Sequence, residues 1–439
     1  MKSKSLFIPL CSLAIVASAC SGGGDSSSKT STLPSDATVP AVTKEPIELN
    51  FLFGSEIVDF DKKYAEQVRK KYPNFSLKQV AMSPQQAIAT NTPVDIMFNS
   101  VTGMVDYFNA GMVGDISDLT KKHKIDLNRF EPTTVEMLAK LADGKQIGLP
   151  YKNINLVMFY NKDIFDKFGI PYPKDAMTWE TTLDLAKKLT RNESGIQYVG
   201  FAADLSSVMA ENSYSLDVVD PKTFKVTYGQ DNRWNKFIST LVPLFTMPGY
   251  NATADMLSRN SQSNLFRKEG RAAMWISDHS NYPNAAESAN LKWDVVSIPE
   301  FDDIRGIGPQ PLPAYMLVSA TSKHKDEALL AVAQLASDEV QIWNAKELLN
   351  ATVLKNQAAK DAFGQGNPLF QGKNLRPFNP TKFAPPPTIT RFNNDGRTPL
   401  NNAVNDVILG KKDLNTALRE ASETANKAIE AKIASEKGK

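Results

Sequence analysis

Groups able to do chemistry are few and scattered in this chain. Its three histidines, His123, His279 and His324, stand apart, with no second donor at the spacing a metal site needs. The two cysteines, Cys11 and Cys20, both lie near the N-terminus, so everything beyond them lacks disulfide and thiol chemistry. Gly22-Gly23-Gly24 follows no strand-like run, and so cannot act as a strand-to-helix phosphate loop. Acidic residues are plentiful, but no spacing singles out an acid and base couple, although carboxylates that hydrolyse glycans lie far apart in sequence and leave no such mark. These features predict no metal, no cofactor and no catalytic residue. Binding chemistry remains. Ser55 and Glu56 follow the apolar run Ile47–Phe53, and Asn99 and Ser100 close the run Val94–Phe98. Polar groups that follow apolar, strand-like runs sit where the sheet of an α/β fold gathers its ligands.

Elements that would position these groups alternate between strand and helix. Ile47–Phe53 reads as a strand, and Phe60, Tyr64, Val68 and Tyr72 recur at helical spacing until Pro73 stops the helix. Phe75–Val80 and Val94–Phe98 read as further strands. This order predicts an α/β fold with a mostly parallel sheet covered on both faces, whose ligands gather at the carboxyl ends of strands. Gly144–Tyr151 and Leu156–Lys162 read as two strands joined by a short polar crossing, Lys152–Asn155, which could pass between lobes. A helix is expected after Thr178, with Trp179, Leu183, Ala186 and Leu189 on one face. Gly270–Ser277 reads as a strand meeting Asp278-His279-Ser280; Val295–Pro299 and Tyr315–Val318 follow as strands. From about Asp413 the tail reads as one helix, with Leu414, Leu418, Ala421, Ala425, Ile429 and Ile433 along its apolar seam. The Asn/Pro-rich stretch Gly364–Asn379 and the prolines Pro385–Pro387 cannot be central strand and are expected to wrap the outside.

The first residues carry an address. Lys2 and Lys4 precede an apolar stretch, Leu6–Val16, that is too short to span a bilayer, and small residues follow it. This is the pattern of a signal peptide, residues 1–19. Ala17-Ser18-Ala19-Cys20 resembles a bacterial lipobox, which implies lipidation of Cys20 and anchoring on the extracytoplasmic face of the cell membrane. Residues 20–44 are rich in Ser, Thr, Gly and Pro, a composition that cannot bury enough apolar surface to offset ordering entropy, so they read as a flexible leash. The formal charge is +2, and Lys2 and Lys4 account for that excess, leaving the remainder neutral. With no basic stripe carrying interleaved aromatics, nucleic acid is not an expected partner.

Over almost the whole chain beyond the leash, the motifs resemble the extracellular solute-binding proteins of ABC importers, in the maltose-binding-like, sugar-associated group. Four stretches carry the likeness. They are Gly148-Leu149-Pro150-Tyr151 with Phe159–Phe165; Phe168-Gly169-Ile170-Pro171 with Thr178-Trp179; Phe266 with Gly270–Met274; and Val318-Ser319 with Ser322–Ala328, joined by Gly410–Leu414 and Ala417-Leu418. The resemblance implies a two-lobed periplasmic-binding-protein-like fold of type II, hinge-joined, closing on a solute and presenting it to permease subunits. It places residues 45–150 and 280–320 in an N-terminal lobe and 154–277 and 323–439 in a C-terminal lobe. It adds to Ser55, Glu56, Asn99 and Ser100 the hinge residues Tyr151, Lys152 and Asn153, the second-lobe residues Asn212 and Tyr214, and the turn Asp278, His279, Ser280 with Trp275 and Tyr282 as nearby aromatics. The implied receptor is a monomer and takes a small molecule, most naturally a carbohydrate. A surface polysaccharide-capture or sensory lipoprotein is the alternative, and a glycan-processing enzyme is less favoured.

Overall fold

A computed structural model describes residues 43–380 and 382–437. Residues 1–42, which hold Cys20, the stretch read as a signal peptide and all but the last two residues of the stretch read as a leash, lie outside the described residues. Two five-stranded sheets organise the chain. The first contains β1 (Ile47–Phe53), β2 (Phe75–Ala81), β3 (Ile96–Ser100), β4 (Gly148–Lys152) and β10 (Ala314–Val318), in the order β2-β1-β3-β10-β4. β1 runs parallel to β2 and β3, whereas β10 returns antiparallel between β3 and β4. Helices cover both faces, and the second half of β1, Phe51–Phe53, is accordingly continuous in buried apolar residues. Leu49, Phe51 and Phe53 pack on one side with Tyr64 and Val68, and Leu52 packs on the other with Met97 and Tyr107.

The second sheet has the order β6-β7-β8-β5-β9, with β5 at Leu156–Asn161, β6 at Arg191–Glu193, β7 at Ile196–Ala203, β8 at Ala272–Asp278 and β9 at Trp293–Val296. Every residue of β5 is buried. The helix Trp179–Leu189, capped by Thr178 accepting from Thr181 N at 3.0 Å, lies directly on β7. Contact is so close that a Cβ on Gly200 would sit 2.1 Å from the Ala186 carbonyl oxygen. The terminal helix Leu414–Lys437 buries Leu418, Ala421, Ala425 and Ile429, along the seam its spacing predicts. Among the described residues no helix is long and apolar enough to cross a membrane.

Crossing segments join the lobes and bond to one another. Asn153 N donates to Ala351 O at 2.9 Å, while Ile154 and Leu312 exchange backbone hydrogen bonds at 3.2 and 3.0 Å. The lobe boundaries therefore differ from those implied by the resemblance. Residues 280–320 do not go together: β9 pairs antiparallel with β5 in the second sheet, and only β10 belongs to the first. Nor does the whole of 323–439 join the second lobe. The helices Lys325–Leu335 and Asp338–Glu347 bury Leu329, Val332 and Val340 in the first lobe's core, and the chain returns to the second lobe with Phe363 and Phe370.

The proline-rich segment departs from expectation too. Gly308 N donates to Lys382 O and Ala384 N to Pro309 O, at 2.9 and 3.2 Å, so the segment runs along a crossing rather than round the outside. Beyond it, Thr388 N donates to Asp217 of the second lobe at 2.6 Å, and Ile389 packs on the first lobe's core.

Candidate ligand site

Polar side chains collect at the carboxyl ends of the second sheet. Asp204 directly follows β7 and caps the helix Leu205–Ala210, with Ser207 Oγ donating to its Oδ2 at 2.7 Å. Asp278 ends β8. Arg259, at the start of the helix Arg259–Arg267, joins them: its Nε lies 2.6 Å from Asp204 Oδ2 and its Nη2 lies 3.0 Å from Asp278 Oδ2. Two neighbouring parallel strands thus deliver carboxylates to one guanidinium, as the topology of such sheets favours.

Glu211 completes the cluster. It follows the Leu205–Ala210 helix, is 4% exposed, and its Oε2 accepts no hydrogen bond. Burial pushes its carboxyl well above the usual range, the charges of Asp278 and Asp204 add to that, and Arg397 and Arg259 oppose it. Burial also raises Asp278, against the pull of Arg259, and Asp278 Oδ1 is likewise buried without a donor. Arg397 reaches the cluster from the helix Asn393–Ile408, donating to Ser206 Oγ at 3.4 Å beside Asn401, which donates to the same oxygen at 3.1 Å. Gly396 makes that approach possible, because a Cβ there would stand 2.8 and 2.9 Å from Val218 and Val219. Among the described residues no group of three or more His, Cys, Asp or Glu is arranged to hold a metal ion.

Of the residues singled out in the sequence, Asp278 alone enters this cluster. His279 belongs to the hinge. It is 1% exposed, its N donates to Asn155 O at 2.9 Å, its Nδ1 accepts from Asn155 N at 3.1 Å, and its ring meets Phe363 and Phe378 edge-on. Burial in this apolar nest lowers it to about 3. Ser280 is exposed, and Tyr282 packs against Phe370 at 5.0 Å. Trp275 is core, stacked on Phe159 and Phe266, each at 5.4 Å, so it offers no platform. Asn212 is spent on its own turn, donating to Met209 O and Leu216 O and accepting from Leu216 N. Tyr214 bonds Asp303 at 2.7 Å and rests on Phe301, away from the strand ends.

In the first lobe, Ser55 and Glu56 are exposed after β1, while Asn99 and Ser100 are half-buried at the end of β3. Tyr151 lies in the core between Tyr64 and Phe98, its hydroxyl 3.3 Å from Asn344 Oδ1, so packing rather than solvent claims it. Lys152 stands over the Phe98 ring at 5.9 Å with no carboxylate partner among the described residues, its ammonium lowered by burial and by Lys63. Asn153 is buried in the crossing, its Oδ1 unbonded.

Sequence reasoning missed Asp204, Glu211, Arg259 and Arg397. The strand-end argument that picked out Asn99 would also have found Asp204, had Tyr198–Ala203 been read as a buried strand.

A cavity of about 970 Å³ opens beside β9 between Glu300–Pro309 and Lys373–Lys382. It contains none of the clustered carboxylates, and its own are engaged: Asp175 accepts from Ser297 N and Asn374, and Glu300 pairs with Arg305. The strand-end cluster, with buried oxygens still lacking donors, has the greater unmet capacity for a ligand.

The model of the bacterial extracellular solute-binding protein family matches residues 55–342. The chain belongs to this family. Its members are extracytoplasmic binding proteins that serve ABC importers, not enzymes. A Brucella abortus (strain 2308) protein described as a binding protein is 27% identical over 354 residues, covering 77% of this chain and 80% of its own. The sn-glycerol-3-phosphate-binding periplasmic protein of Brucella melitensis biotype 1 is 23% identical over 337 residues, covering 70% and 73%. A Rhizobium etli sugar transporter, solved in an open conformation, superposes with a TM-score of 0.71 at 21% identity, covering 87% of this chain and 99% of that one. The two-lobed fold is therefore that of the periplasmic-binding-protein-like receptors.

Proposed function

We propose that this solute-binding protein captures a carbohydrate between its lobes, closes on it as a monomer, and hands it to the permease of an ABC importer while held to the membrane by lipid on Cys20. One observation carries the carbohydrate reading: the second lobe's strand ends set carboxylates, guanidiniums, hydroxyls and an amide together around Asp204, Asp278, Arg259, Arg397 and Asn401. A sugar hydroxyl donates and accepts at once, and a mixed set of this kind answers both demands. The sugar-transporter fold of the Rhizobium etli protein supports the same reading. A phosphate ester, by contrast, would meet more carboxylates than guanidiniums here.

Closure follows from the hinge. Crossings tied to one another by a few backbone hydrogen bonds can flex at few positions, so a ligand that touches both lobes shifts the open and closed populations. A thermal-shift screen of mono- and oligosaccharides, polyols and sn-glycerol 3-phosphate tests the substrate class. A ligand at a hundred times its Kd should add about 2.7 kcal/mol of stability. If sn-glycerol 3-phosphate alone shifts the transition, the carbohydrate reading is wrong. Superimposable scattering curves with and without a tight ligand would dispose of closure. Radiolabelled palmitate should enter the parent chain and not Cys20→Ala, and equal labelling would remove the anchor.

A further inference from the structure

The cluster that supports the carbohydrate reading is unbalanced in a way a neutral sugar does not mend. Arg259, itself more than half exposed, pairs with Asp204 Oδ2 and Asp278 Oδ2. Glu211 lies among the same charges yet, at 4% exposure, its carboxyl has no hydrogen bond or ion pair among the described residues, and its Oε2 is fully buried. Asp278 Oδ1 is buried and unbonded as well. Two buried carboxylate oxygens, Glu211 Oε2 and Asp278 Oδ1, thus lack donors among the described residues where the carboxylates Asp204, Glu211 and Asp278 outnumber the guanidiniums Arg259 and Arg397. Buried acceptors left unpaired are costly, and buried negative charge without compensation is more so.

We propose that the cluster receives a protonated amino group of the solute, so that the ligand is an amino sugar or aminocyclitol rather than a neutral sugar. The inference rests on the carbohydrate reading and narrows it. An ammonium brings three N–H donors and one positive charge to a single point, whereas a hydroxyl brings one donor and no charge. Glu211 and Asp278 are the side chains that choose between the two. Glu211 faces Asp204 and Asp278 on one hand and Arg259 and Arg397 on the other, so a bound cation favours its ionised form and a proton leaves for the buffer.

Calorimetry on the purified chain, with glucosamine, galactosamine and streptamine set against their N-acetylated forms and their unaminated parents, tests this. The aminated compounds should bind at least about tenfold more tightly than the N-acetylated ones, since acetylation removes the charge. Their apparent enthalpy should vary with the ionisation enthalpy of the buffer, which reports the released proton. Glu211→Gln and Asp278→Asn should each erase the preference, with melting curves confirming that both variants fold. If neutral sugars bind as well as amines, the amine inference fails and the carbohydrate reading stands. If no compound of either kind binds, both fail. Discrimination unchanged in both variants would place amine recognition elsewhere and overturn the assignment to this cluster.

Discussion

The two lobes present unlike chemistry at equivalent places. Where β3 ends in the first lobe, the polar groups satisfy one another: Asn99 Oδ1 accepts from Ser100 N at 2.9 Å, Ser100 Oγ lies 3.1 Å from Thr102 Oγ1, and Tyr107 donates to the Phe98 carbonyl at 3.0 Å. Where β7 and β8 end in the second lobe, carboxylates are buried with oxygens still unpaired. A self-satisfied surface can be covered or uncovered at little electrostatic cost, which suits a lobe that moves over a ligand. An unsatisfied one gains from a particular ligand, which suits a lobe that chooses it. The ground beneath differs as well, for the second lobe's strand ends stand on stacked aromatics, Phe159, Phe266 and Trp275.

That underlayer should give the largest effect. Trp275→Ala removes a side chain 2% exposed between two rings, and urea unfolding should show a loss of about 3–5 kcal/mol. A loss below about 1 kcal/mol would mean the ring is not core and would reopen its role as a sugar platform. Next comes Asp204→Ala, which strips Arg259 of one partner and the site of one acceptor. Affinity for the best ligand should fall about 10- to 100-fold, the range for a hydrogen bond to a charged group, with Arg259's exposure keeping the effect on stability smaller. An unchanged affinity would separate the second lobe's charges from ligand binding altogether.

How much of this contrast the sequence shows depends on whether a residue's neighbours in space are also its neighbours in the chain. Asn99 and Ser100 were readable because a buried run ends on them, and the tail helix was readable because its seam repeats every three or four residues. Arg259 meets Asp204 and Asp278, and Arg397 meets Ser206 beside them, only through tertiary packing, and no local pattern announces it. β9 is an edge strand of four residues whose pairing with β5 spans more than a hundred positions, so its lobe was misassigned. Asn212 and Tyr214 lie in irregular chain, where polar residues serve turns and outer-face bonds as readily as a ligand.

His279 sharpens the comparison through pH. Its folded value of about 3 lies below the ordinary one near 6.5, so the unfolded chain binds the extra proton and stability falls as pH drops from 6.5 toward 3. The slope from this group is about 1.4 kcal/mol per pH unit. Glu211 and Asp278 work in the opposite sense: both are raised, so their contribution is present at low pH and is lost as pH rises through their folded values. The difference in slope between the parent and His279→Gln from pH 6 to pH 4 isolates the histidine, and parallel curves would show that His279 is not buried neutral in the hinge.

The smallest effects belong to the self-satisfied side and to the outer face. Ser100→Ala removes a hydroxyl whose partner is another hydroxyl, and Tyr214→Phe removes an exposed bond to Asp303, so each should change stability by no more than about 0.5 kcal/mol. Ligand affinity, measured by calorimetry, should stay within about threefold of the parent in both, since surface changes away from a desolvated contact are close to neutral. A tenfold loss in Ser100→Ala would move recognition into the first lobe and erase the division of labour between the two strand ends. The same loss in Tyr214→Phe would put the ligand on a face that its bond to Asp303 now occupies.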